Sequence, residues 1–155
     1  MTDEALLKLW ETEKTAPRWF RDAGETDKFS DGDYLKWCDQ FEIFGLANDR
    51  ATLFLKRNDA HGEIHFSIER KFTEIDALVA ELESVRTRIF ASGITVVTAW
   101  VAKRNTGLRN ICIELGMQYH GLKKWKGESH GKIIEWMCYQ VFAPAKIVER
   151  VPSIC

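Results

Sequence analysis

The sequence predicts a single mixed α/β domain, of the α+β mixed-sheet kind, with a helical N-terminal extension, an antiparallel meander, a β-α-β crossover and a C-terminal hairpin. Three observations carry that prediction. The apolar period changes from three-and-four to two near residue 41 and back again at residue 72, so helical and extended stretches are separated along the chain. The run Ile94-Thr-Val-Val-Thr-Ala-Trp-Val-Ala102 is rich in β-branched residues and almost continuously apolar, as in a strand covered on both faces and reached by a helical crossover. A chain of 155 residues with 45% hydrophobic content suffices for one core, burying roughly 70% of its unfolded surface, and is short for two domains.

Thr2, followed by Asp3 and Glu4, can cap a helix whose Leu6, Leu7 and Trp10 share one face. A turn around Pro17 leads to Trp19 and Phe20, and Asp22 to Lys28 reads as an exposed loop. Ser30-x-x-Asp33 is a capping-box pattern before Tyr34, Leu35 and Trp37, a second short helix that stops near Gln40. Residues 1–40 are therefore a helical front end. Phe41–Ala47, Ala51–Lys56 and Glu63–Ile68 follow as extended stretches separated by Asn48-Asp49 and by Asn58-Asp59-Ala60-His61-Gly62. In the third, Ile64, Phe66 and Ile68 alternate with Glu63, His65 and Ser67, the pattern of a strand with one face on the core. Phe72, Ile75, Leu78, Val79, Leu82, Val85, Ile89 and Phe90 then mark an amphipathic helix of roughly five turns ending at Gly93. After the buried strand, a short helix with Leu108, Ile111, Cys112 and Leu115 ends at Gly116. Two last strands follow, about Met117–Trp125 and Ile133–Phe142, and residues 143–155 form a C-terminal extension.

Composition narrows the function classes. Lys plus Arg number 22 against 23 Asp plus Glu, a formal charge of −1, which argues against a surface dedicated to nucleic acid or membrane. The Lys123-Lys124-Trp125-Lys126 segment offers charge and a stacking ring, but most such runs are solvated faces. The longest apolar run is far short of the ~20 residues of a membrane span. Cys38, Cys112, Cys138 and Cys155 include no C-x-x-C pair, and the chain opens Met-Thr-Asp-Glu with no basic-then-apolar leader, so a reducing, cytoplasmic setting is expected. His61 and His65 would lie ~13 Å apart on an extended chain. His120 and His130 lack matching cysteines or carboxylates, and no metal site is expected.

The element order, together with Asn105-x-x-Leu108-x-x-x-Cys112-x-x-Leu115-Gly116-Met117, resembles the GNAT superfamily of acyl-CoA N-acyltransferases over residues 41–142. In that family an asparagine leaves the buried strand, and a short helix ends in a glycine that leads to the next strand. The short chain and helical front end are also similar to small GNAT-like proteins of tailed phages, which would put the protein in a host cytoplasm or a virion. The resemblance implies an acetyl-CoA cofactor and an amine substrate, and it places the cofactor at Arg70, Lys71, Thr73, Asn105 and Arg109. The sequence departs from the family here, because Arg70-Lys71-Phe72-Thr73-Glu74-Ile75 lacks the glycines that let backbone amides approach a pyrophosphate. Thr73-x-x-Asp76 is itself a capping-box pattern, by which the helix could satisfy its own amides.

For the chemistry, Glu63 and His65 lie on the strand from which the family often takes its base, with Tyr119 and His120 as alternates bordering the acceptor groove. Their plain alternative is exposure to solvent or to a covering helix. Cys112 stands where many relatives have a tyrosine that protonates the departing thiolate, and it is equally a core-filling thiol. Asn105 is expected to bridge the opening between splayed strands or simply to cap the next helix. Two functions follow: an acyl-CoA-dependent N-acyltransferase, or a catalytically degenerate GNAT-fold protein that binds a protein partner. The latter would be a virion component or a host-enzyme inhibitor anchored by tryptophans such as Trp10, Trp19 and Trp37, rings that could as easily pack that segment onto the sheet.

Overall fold

The structure, a computed structural model, describes residues 1–15, 30–69, 71–126 and 133–145. The expectations for Trp19, Phe20, the Asp22–Lys28 loop, Arg70, His130 and the tail from residue 146 lie outside the described residues. Among the described residues, ten elements follow in the expected order: α1 (Asp3–Thr15), α2 (Asp31–Cys38), β1 (Glu42–Leu46), β2 (Ala51–Asn58), β3 (His61–Ile68), α3 (Ile75–Ala91), β4 (Val96–Ala102), α4 (Thr106–Glu114), β5 (Gln118–Lys126) and β6 (Ile133–Phe142). They form a mixed α/β domain around one six-stranded sheet of order β1-β2-β3-β4-β6-β5. The meander β1-β2-β3 is antiparallel, the crossover through α3 makes β3 and β4 parallel, and β6 returns antiparallel between β4 and β5.

One side of the sheet holds the main core, where Leu78, Leu82 and Ile89 of α3 and Ile111 and Cys112 of α4 pack on Ile64, Phe66, Val97, Ala99 and Tyr139. Arg86 of α3 donates to the Leu115 carbonyl, tying the long helix to the end of α4. Gly116 follows at φ +78°, a left-handed position that glycine takes without cost and that turns the chain into β5.

The other side carries α1 and α2. Thr2 Oγ1 accepts from the Ala5 amide, and Ser30 and Asp33 form the reciprocal capping box. Trp10 is fully buried and stacks on Tyr34 with ring centroids 4.6 Å apart, while Trp37 packs edge-on against Phe54. This selects one of the two readings of the front-end tryptophans and corrects the expectation that β3 has one face on the core. The front end is packed onto the sheet through Trp10 and Trp37, and β3 has both faces covered: His65 and Ser67 are buried beneath these helices as Ile64 and Phe66 are beneath α3. Alternation still assigns the faces, but the second face finds its cover some 30 to 60 residues upstream.

The Thr73-x-x-Asp76 capping box is absent. Lys71 takes a left-handed φ of +67°, Phe72 N donates to Glu69 O across a turn at 3.2 Å, and α3 starts after Glu74, whose side chain makes no capping hydrogen bond. Arg50 organises this loop, bonding Glu69 at 2.6 Å and Glu74 at 3.1 Å and lying 4.9 Å over the Phe72 ring. No described helix is long and apolar enough to cross a membrane.

Candidate functional site

The parallel ladder is short. β3 and β4 pair from His61↔Val96 to Ile64↔Ala99 and then separate, although β3 stays paired to β2 as far as Ile68 and β4 to β6 as far as Ala102. The sheet is thus continuous at its margins and forked in the middle. Beyond Ile64 and Ala99 the two strands offer each other no ladder partner, so the facing backbone groups are open to something else. A cavity of about 760 Å³ occupies the fork and runs toward the starts of α3 and α4, walled by Phe66, Lys71, Phe72, Val101, Asn105 and Leu108 among others. Its size is that of a small-molecule site.

Asn105 stands at the mouth as the N-cap of α4, its Oδ1 accepting from Leu108 N at 3.2 Å, so wall and cap are one residue. Lys71 and Arg104 add positive charge along the wall, and the acidic Glu69 beside them is held by Arg50. The Glu74 side chain does not cap α3, whose first amide, Ile75 N, donates to Thr73 O at 2.9 Å. Lys71, at a left-handed φ, makes the turn that leads into α3.

At the point of the fork, Glu63 Oε1 lies 3.3 Å from His65 Nε2. Glu63 pairs with Thr98, the last pair of the ladder but one, and His65 is the first residue past the ladder, on the face that α1 and α2 cover. The Glu63 carboxyl is held below its usual range chiefly by the hydrogen bond with His65, against an opposing effect of burial; the charges of His65, Lys56 and His61 add to the lowering. Phe41 and Trp37 enclose His65 edge-on at 5.7 and 6.3 Å. Nearby, His61 Nε2 is 2.7 Å from Thr98 Oγ1, which also accepts from Gln140 Nε2 at 3.1 Å.

Among the described candidates the structure brings His65, Lys71 and Asn105 to one cavity wall, with Glu63 bonded to His65, but not Cys112, Arg109, Tyr119 or Thr73. Cys112 has no exposed surface, sits in the main core and is not on the cavity wall; burial pushes its thiol up to about 12. Arg109 points beneath α4, its Nη1 donating to Lys103 O at 2.9 Å and its Nε to Tyr139 Oη at 3.3 Å. Tyr119 is exposed on the edge strand, ring to ring with Tyr139 at 6.2 Å. Thr73 is exposed and off the wall, its carbonyl accepting from Ile75 N at 2.9 Å. Trp100 and Trp136, which line the cavity, escaped the sequence reading. Their alternation with Val101 and Met137 places both on the face away from α3, but only the sheet order shows that they adjoin.

No family model matches the chain, and no curated protein matches it. Solved structures do. A ribosomal-protein-alanine N-acetyltransferase from Brucella melitensis superposes with a TM-score of 0.74 at 11% identity, covering 92% of this chain and 97% of its own. An N-acetyltransferase from Staphylococcus aureus Mu50 gives 0.74 at 10% identity, covering 92% and 94%. A Salmonella typhimurium structure described as a candidate acetyltransferase, with its cofactor acetyl-CoA, gives 0.68 at 10% identity, covering 92% and 90%. At such identities the likeness is one of fold.

Proposed function

We propose that this chain, whose fold is that of the GNAT superfamily, is an N-acyltransferase that moves an acyl group from acyl-CoA to an amine at the fork between β3 and β4. The observation that supports this most is the ladder ending at Ile64↔Ala99 over a cavity walled by both strands, with a carboxylate–imidazole pair at its apex. A pantetheine arm is extended and amide-bearing, which suits two strand edges that lack each other as partners. Lys71 and Arg104 on the cavity wall suit its phosphates.

Acyl-CoA supplies a thioester carbonyl at the fork. Glu63 and His65 take one proton from the incoming ammonium, directly or through a water, and pass it to solvent; the free amine attacks the carbonyl, the carbon–sulfur bond breaks as the amide forms, and the nitrogen sheds its second proton. That second proton's equivalent reaches the departing thiolate from solvent or through the same pair, since the Cys112 thiol is walled off in the core, and one proton is released in all. Asn105 holds α4 in register with the mouth, and Lys71 holds the anionic end.

Thermal melting with acetyl-CoA tests the reading. Ligand at one hundred times its dissociation constant adds about 2.7 kcal/mol, which for a chain of this size raises Tm by roughly 5–10 °C. Lys71→Ala should weaken binding about tenfold, the scale of one lost charge-assisted hydrogen bond. An unchanged Tm at millimolar acetyl-CoA would refute acyl transfer.

A further inference from the structure

Beside the fork lies a second cavity of about 200 Å³, lined by Glu63, His65, Trp100, Lys123, Trp125 and Trp136. It shares His65, Trp100 and Trp136 with the large cavity, so its occupant would sit against whatever enters the fork. We propose that this second cavity seats the acceptor and selects a small monoamine carrying an aromatic ring; the acceptor role rests on the acyltransferase reading, whereas the shape preference rests on the indoles alone.

Sheet geometry builds the box. Trp100 on β4, Trp136 on β6 and Trp125 on β5 all project from the face that α1 and α2 cover only over the meander. Trp136 pairs with Ala102 on one side and Lys123 on the other, and the small Ala102 leaves room for the indole to reach across β4 to the fork. Were these rings only core filling, all three would be closed off. Trp136 is, at 4% exposure, but Trp125 keeps 46% of its surface and Trp100 is half-buried. Two indoles thus wall an open space, and indole faces stack on rings and attract cations.

Charge sets the direction. Glu63 stands at the fork end and Lys123 at the edge-strand end, so an ammonium is welcomed at the first and repelled at the second. A diamine or polyamine would place its second ammonium toward Lys123. A volume of about 200 Å³ equals roughly seven waters at ~30 Å³ each, room for a ring and a short arm but not for a folded N-terminus.

Calorimetric titration of the full chain without acyl-CoA decides it, with 2-phenylethylamine and spermidine as probes. Phenylethylamine should bind at least tenfold tighter than spermidine. Trp125→Ala should weaken phenylethylamine at least fivefold and Trp125→Phe restore it, while neither changes the melting shift produced by acetyl-CoA. Equal or tighter spermidine binding, indifference to Trp125→Ala, or a dimer that Trp125→Ala dissolves would each overturn the proposal. Phenylethylamine binding without any acetyl-CoA shift would overturn the acyltransferase reading and leave the aryl-amine pocket. An acetyl-CoA shift without phenylethylamine binding would do the reverse.

Discussion

Glu63 and Cys112 show how burial and partners assign roles to single side chains. Glu63 is half-exposed and held ionised by its bond to His65, the form in which the proposed reaction would use it. Glu63→Gln keeps the shape but removes that capacity, and turnover should fall about 100-fold or more with acetyl-CoA affinity unchanged, as steady-state kinetics and melting would show. The same bond has a pH signature. A carboxyl held below its ordinary 4.5 stabilises the fold above that value and loses its contribution as pH falls through its folded-state value. The stability gap between wild type and Glu63→Gln, read from urea unfolding, should therefore be level near neutrality and close progressively below about pH 4.5. Cys112 is the opposite case: its spacing matched a proton donor, but spacing alone does not say which side of a short helix faces the core. Cys112→Ala should cost roughly 1 kcal/mol of stability and leave turnover intact, and alkylation mapped by mass spectrometry should reach this thiol only on unfolding. A large turnover loss in a folded Cys112→Ala protein would restore it to the reaction.

Among the elements, those with local signals were legible. The Ser30–Asp33 box, the α3 stripe and the β6 limits Ile133–Phe142 stand where the sequence put them, because caps and periodicity act within a few residues. Ser30→Ala should lower stability by about 1 kcal/mol, visible as an equal shift in chemical denaturation at pH 7 and little change in acetyl-CoA binding. The failures are non-local. The Thr73 box fails because Arg50, twenty-odd residues away, draws Glu69 and Glu74 to itself and sets the turn through Lys71. The second covering of β3 fails because its cover comes from α1 and α2. The tryptophan box escaped for the same reason, since Trp100, Trp125 and Trp136 adjoin only once β6 is inserted between β4 and β5.

At the scale of the molecule, the fork exists because two half-sheets are each secured independently. The β1-β2-β3 half is clamped between α3 and the α1–α2 pair, and the β4-β6-β5 half is anchored by α4 and its own hairpin. Loosening the first clamp should cost both stability and function. Trp10→Ala removes a fully buried ring stacked on Tyr34 and should destabilise the fold by about 3–5 kcal/mol, with faster hydrogen exchange across β2 and β3. The central claim is that acyl-CoA enters between β3 and β4, and amide-resolved hydrogen exchange with and without acetyl-CoA addresses it most directly. Protection should rise on the facing ends of β3 and β4, residues 65–68 and 100–102, and at the start of α3, residues 75–77, while the β5–β6 ladder is unchanged. Binding that leaves those amides untouched, with protection gathered elsewhere, would contradict the account.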